Sequence, residues 1–264
     1  MTDRNDLLPD SDGYRKLSYT TRCGFIDWGH ALPGGALSLL RKVQGTRSDA
    51  EFRNISITLQ GRRAFVFRYS QEQGARLPGG LMLRRGPGGM WAVRSDVVGN
   101  TAIGVAMAIY QRASMMFEAF QGAFPDGLVS GDSSFSSEDL VSNMIGFHRA
   151  HTSRSVEDMR RICGETSVAE SVRIYDTHLP GGIGSRKNRT FQPILYPTRE
   201  GDGDTSFPEE LTRIRPVTSS AYWVRVRNYI GFPVIHSAYP AWEIDANGDI
   251  IPSLQVRPAA EDWI

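Results

Sequence analysis

A chain of 264 residues with 40% hydrophobic and 22% charged residues can bury a sizeable core, which excludes wholesale disorder. Its 30 basic and 29 acidic residues leave a net charge of +1, and so even a balance excludes a general electrostatic pull toward nucleic acid or anionic membranes. Two cysteines, Cys23 and Cys163, are too few for a disulfide framework and sit in no CxxC pair, so free thiols are expected ahead of one long-range bridge.

The N-terminus, MTDRNDLLPDSDGYRK, lacks the basic start and apolar core of a secretory signal. Residues 1–20 are therefore expected as a flexible polar arm and residues 21–264 as a single globular α+β domain. The same feature places the protein in the cytoplasm as synthesised, with export by a signal-less route left open. TRCGFIDWGHA, residues 21–31, is the first ordered stretch, and Gly24, Gly29 and the β-branched and aromatic residues between them favour an extended form. Ala36 to Val43 reads as a short helix closed by Gly45. A β meander follows over 51–95. FRNISITL and RAFVFRYS pair around Gln60-Gly61, and LPGGLMLRR and GMWAVRS pair around Gly86-Pro87-Gly88-Gly89. A long helix over about Ser95–Phe120 is apolar on nearly every side and so reads as central and buried. The stretch Val97–Tyr110 within it is too short for a membrane span. Pro125, Asp126 and Gly127 make a loop, and helices are expected from Ser136 to Arg149, from Ser155 to Gly164, and on to Tyr175. Residues 179–210 read as loop, AYWVRVRNYI as strand, and WEIDANGDIIP as a C-terminal β hairpin centred on Asn247-Gly248.

Three constellations could carry chemistry. Cys23, Asp27 and His30 offer a thiol, a carboxylate and an imidazole, the parts of a nucleophile, orienter and base. On a strand Cys23 and Asp27 share a face while His30 points away. The competing reading is a buried cysteine, an aspartate in a turn and a satisfied histidine. In SSFSSEDLVSNMIGFH, residues 133–148, Ser136 and Asp139 form a capping box and Glu138 adds charge that the helix dipole favours. Capping leaves Ser142, Asn143 and Gly146 unexplained, and Asp139, Asn143 and Gly146 share one helix face, where a glycine permits close approach. Glu118, beside Met115, Met116, Phe117 and Phe120, should have its charged form disfavoured, as a general acid requires, unless it simply faces water at the helix end. Paired with Glu138 or Asp139 it could supply the two carboxylates of glycan cleavage. His148 and His151 at a helix C-terminus, and the loop PGGIGSRKNR at 180–189, read as dipole partners and as a mobile solvated loop. No HExxH, zinc spacing, GxGxxG or GxSxG occurs, so neither a cofactor nor a metal is expected.

CGFIDWGH at 23–30 and SFSSEDLVSN at 134–143, with a long helix ahead of the second motif, resemble the uncharacterised bacterial family known as domain of unknown function number four thousand and fifty-six. The family's His-Glu pair near the end of that helix is Phe117-Glu118 here. The resemblance implies a bacterial origin and a shared polar site made of Cys23, Asp27, His30, Glu118, Glu138, Asp139, Ser142 and Asn143, without naming a reaction.

The resulting expectation is a hydrolase with Glu118 as acid, Glu138 or Asp139 as second carboxylate, His30 as an orienting group, and Asp27, Ser142 and Asn143 binding substrate. A cell-wall glycan or a small molecule is the expected substrate. The alternatives are a thiol peptidase or amidase using Cys23 and His30, and a non-enzymatic binding or assembly protein in which the motifs brace the fold.

Overall fold

Among the described residues most strands lie early and late in the chain and most helices in its middle, the order that marks an α+β fold. The computed structural model describes residues 2–71, 73–76, 82–85, 88–123, 134–200, 205–227 and 241–252. The chain divides into two compact units, Met1–Ser38 with Tyr110–Arg215 and Leu39–Ile109 with Pro216–Ile264. Each unit gathers an apolar cluster of its own.

The unit containing Leu39–Ile109 is built on a six-stranded mixed sheet of order β10-β9-β3-β4-β7-β8. Strands β3 (Ser56–Leu59) and β4 (Arg62–Ser70) form the hairpin expected around Gln60-Gly61, whose two residues both take positive φ, the twist a two-residue hairpin needs. Strand β7 (Gly88–Arg94) pairs with β4 from Ala64↔Arg94 to Ser70↔Gly88 and with β8 (Trp223–Arg225) on its other side. The expected pairing of 82–85 with β7 is thereby corrected. With both edges of β7 taken, β6 (Met82–Arg85) pairs instead with β5 (Gln73–Arg76). The C-terminal hairpin joins β9 (Ala241–Ile244) to β10 (Ile250–Pro252), and β9 lies parallel to β3 with Ile57 opposite Trp242. Ile57, Leu59, Val66, Ala92, Val224 and Trp242 share the cluster beneath this sheet.

The other unit carries β1 (Leu17–Thr20) against β2 (Gly24–Asp27), and helices α3 (Asp139–Thr152), α4 (Val156–Cys163) and α5 (Val168–His178). Helix α1 (Gly34–Gly45) falls where expected, and α2 (Gly99–Ala123) is the long helix, burying Ala102, Val105, Ala106, Ile109 and Tyr110. Ser155 and Asp158 close a capping box at the start of α4, and Gly164 ends that helix in the left-handed conformation, at the bounds expected for it. The expected loop with Pro125, Asp126 and Gly127, and the turn residues Gly86 and Pro87, lie outside the described residues.

Two expectations about this unit fail. Residues 2–20 are anchored, not a free arm: Leu7 and Leu17 join Phe25, Ile174 and Leu179 in the core, and Arg4 grips Asp176 through two hydrogen bonds of 2.7 and 2.8 Å. An apolar residue every few positions in the arm, overlooked beside its many charges, supplies that anchoring. Cys23 and Cys163 are not free thiols but a disulfide, with Cα atoms 5.4 Å apart. Backbone bonds from Thr21 to Gly164 and from Arg22 to Cys163 lay the two segments side by side, which brings the sulfurs together. No helix among the described residues is long and apolar enough to cross a membrane.

Candidate functional site

Strand β2 ends at Asp27, and the next residues turn rather than continue the strand. Asp27 Oδ1 accepts from the amides of Gly29 at 2.7 Å and His30 at 3.2 Å, the side-chain-to-backbone pattern that reverses a chain. The strand alternation that would aim His30 away from the Asp27 face is overridden by this turn. The other Asp27 oxygen accepts from the Thr2 hydroxyl and stands 4.0 Å from Lys16 Nζ.

Helix α3 meets this turn with its first two turns. The Asp27 amide donates to Ser142 Oγ at 2.9 Å, and the Ser142 hydroxyl donates to the Glu138 carbonyl at 2.7 Å. One turn closer to the helix start, His30 Nδ1 donates to Asp139 Oδ1 at 3.1 Å, while Asp139 Oδ2 accepts from the Ser136 amide at 2.9 Å. Asp139 thus serves the helix start and the imidazole at once. Glu138, the residue before the helix, makes no side-chain cap bond, and its Oε2 is buried without a hydrogen-bond partner among the described residues. Glu118, near the end of α2, accepts from the Phe135 amide at 2.8 Å. It does not face water: Glu118 and Glu138 are each 1% exposed. Close approach between α3 and the 27–32 segment depends on Gly146, where a Cβ would stand 2.9 Å from the Leu32 carbonyl oxygen.

Electrostatics in this cluster follow from burying several acids together. Burial, with the Asp139 charge beside it, pushes Glu118 up to about 7. The same two causes, in the same order, push Glu138 well above the carboxylate range. Burial lowers the affinity of His30 for its proton. The hydrogen bond to Asp139 and the charges of Asp27, Asp139 and Glu138 outweigh it and raise His30 to about 9. His30 is the member that reaches solvent, with its side chain 49% exposed. The arrangement is a protonated imidazole at the surface with proton-holding carboxylates behind it.

Of the residues singled out in the sequence, the fold joins His30, Asp27, Asp139 and Ser142 by direct hydrogen bonds and brings Glu118 and Glu138 within reach of their charges. Asn143 is half-buried on α3, and its side chain makes no hydrogen bond with the described residues. Cys23 is withdrawn by its disulfide, so the thiol nucleophile is overturned. The loop at 180–189, expected to be mobile and solvated, is instead a wall of the site. Its Lys187 ammonium donates to the Ser134 carbonyl at 2.9 Å and draws Glu118 toward ionisation, and the Asn188 amide donates to the Phe135 carbonyl at 2.8 Å. The signal in sequence was Asn188, whose amide donors and carbonyl acceptor suit it to bridging backbones; the fold buries it. Among the described residues, no three His, Cys, Asp or Glu side chains group as a metal site. Compared with models of known families, with curated proteins and with solved structures, the chain matches none.

Proposed function

We propose that the protein is a hydrolase whose acid-base unit is the His30–Asp139 pair, with Glu118 and Glu138 as proton-holding carboxylates behind it. One observation carries this reading: a half-exposed imidazole, paired with a buried aspartate at 3.1 Å, is the outermost group of a cluster of perturbed acids. The roles expected from sequence are exchanged. Glu118, 1% exposed, is too deep to touch a polymer, so His30 delivers the proton to the leaving atom and Asp139 holds the resulting ring in place. The Asp139 hydrogen bond and the charges of Asp27 and Asp139 keep the proton on His30. Asp27 orients the ring through the turn that carries it.

A bacterial cell-wall polymer is the first substrate to test, on the resemblance of CGFIDWGH and SFSSEDLVSN to the bacterial family described above. The buried disulfide supports a place of action outside a reducing cytoplasm. The test is release of reducing ends and free amino groups from purified cell wall by the wild type and by His30→Asn. A loss of about 100-fold or more is expected in a variant that stays folded at the assay temperature. Equal turnover in the variant, or none in the wild type on any cell-wall fraction, sinks the proposal.

A second reading, a binding or assembly protein, is favoured by the bonds that tie the same residues to backbone, Ser142 to Asp27 and Glu118 to Phe135. It predicts that Asp139→Ala and His30→Asn act on the melting temperature alone, with no turnover for either to lose.

A further inference from the structure

Asp139, Ser142, Gly146 and Arg149 recur along α3 at spacings of three and four, which puts them on one face. The first three meet the segment 27–32, as described. Arg149 continues the row. Its Nη1 donates to the Ala31 carbonyl at 2.7 Å and its Nε to the Arg154 carbonyl at 3.4 Å. Both partners are neutral, and no carboxylate among the described residues pairs with this guanidinium.

That is unusual company for a half-buried arginine. Burial works against its charge, and the titratable group whose field bears on it is the phenol of Tyr14, itself 42% exposed. The neighbouring cation, Lys16, is by contrast already spoken for, 3.1 Å from Asp6 and 4.0 Å from Asp27. A guanidinium has five N–H donors, and the two carbonyls occupy only two of them. Free N–H groups remain on both terminal nitrogens, the end-on fork that matches a carboxylate or phosphate. The arginine is held rigidly by its two carbonyls, so little side-chain freedom is left to lose on binding. Its anchor, Ala31, directly follows His30 in the chain, and Leu32, 58% exposed, comes next.

We propose that Arg149, with Tyr14 beside it, docks an anionic group of the substrate, a carboxylate or a phosphate, and so presents an adjacent bond to His30. This rests on the reading of His30 as the reacting group, but the anion site can be tested without turnover.

The experiment uses the full chain carrying His30→Asn, which removes the proposed chemistry and leaves Arg149 in place. Side-chain N–H signals of Arg149 are followed by NMR during titration with N-acetylglycine, with inorganic phosphate, and with the neutral N-acetylglycinamide. A saturable shift with at least one anion and none with the amide is expected, and the anion that binds more tightly identifies the chemistry. Affinity, read by thermal shift, should fall about tenfold or more in Arg149→Met. Leu32→Glu, which places a competing carboxylate at an exposed neighbouring position, should weaken it likewise and decides the matter if Arg149→Met fails to fold. No saturable shift with either anion, or full affinity in a folded Arg149→Met protein, overturns the proposal. Anion binding by a protein that hydrolyses nothing would uphold the subsite and sink the hydrolase, while hydrolysis without anion binding would do the reverse.

Discussion

Asp139 divides its two oxygens between the backbone of Ser136 and the ring of His30, so it decides both where α3 begins and whether the imidazole keeps its proton. Asp139→Asn keeps an oxygen for the Ser136 amide and removes the charge. The His30 pKa should then fall from about 9 toward the ordinary histidine value, which an NMR titration of the ring reads directly. Glu118 supplies a second prediction, with a definite sign. Below its ordinary value of 4.5 it is protonated in folded and unfolded chain alike. Between 4.5 and about 7 the unfolded chain releases the proton and the folded chain keeps it, so stability falls as pH rises through that window. His30 adds a fall of the same direction, its contribution whole below 6.5 and gone above about 9. His148, buried and pushed down to about 4 by burial and by the charge of His151, acts oppositely: its contribution is whole above 6.5 and lost as pH falls through about 4. Comparing melting temperatures of wild type and Glu118→Gln across pH isolates the first effect. The variant should gain a few kcal/mol on the wild type between pH 4.5 and 7 and hold that lead above. A constant difference at all pH values would show that Glu118 keeps no proton.

At the scale of elements, the face of α3 works as a strip that must lie flat against residues 27–32. Gly146→Ala tests this, because the new methyl meets Leu32 and Ala31 backbone rather than a flexible side chain. We expect a loss of about 1–3 kcal/mol by denaturant unfolding, although alanine is the better helix former. Weakening of the His30–Asp139 contact should accompany it, seen as a lower His30 pKa. What the sequence made legible were devices that act over a few residues. The Gln60-Gly61 and Asn247-Gly248 turns, the start of α4 after Ser155 with its stop at Gly164, and the alternation in β3 were all readable, and with them the α+β class. The candidate site was half legible. Its carboxylates could be named, Glu118 from its apolar neighbours and Glu138 and Asp139 from their place at the start of a helix. That His30 is their partner could not, since the pairing joins residues 109 apart and hinges on an Asp27 turn that overrides strand alternation. Lys187 and Asn188 were hidden for the same reason: their value lies in backbone carbonyls that only the folded chain brings near. The pairing of β6 was misread because a glycine-rich turn is equally good grammar for a hairpin and for a link between different sheets.

For the molecule as a whole, the Cys23–Cys163 bridge spans a sequence separation of 140 residues within one unit. Closing so long a loop removes much freedom from the unfolded chain, a stabilisation of up to about 5 kcal/mol. Reduction, or the double change to alanine, should lower the melting temperature accordingly while leaving hydrogen bonds at His30, and thus its ring signals, in place. Unchanged stability on reduction would mean that the backbone bonds around Gly164 already do the work.

The sheet order has a further consequence for how the protein is made. Strands β3, β4 and β7 leave the ribosome together, yet both of their outer neighbours, β8 and β9, are encoded after residue 222. For most of translation a three-stranded ribbon therefore carries two open edges, each able to capture a strand from another nascent chain. Synthesis is safest where chaperones shield that ribbon, and a C-terminal truncation before Trp223 should leave a polypeptide that clumps rather than one that merely works poorly.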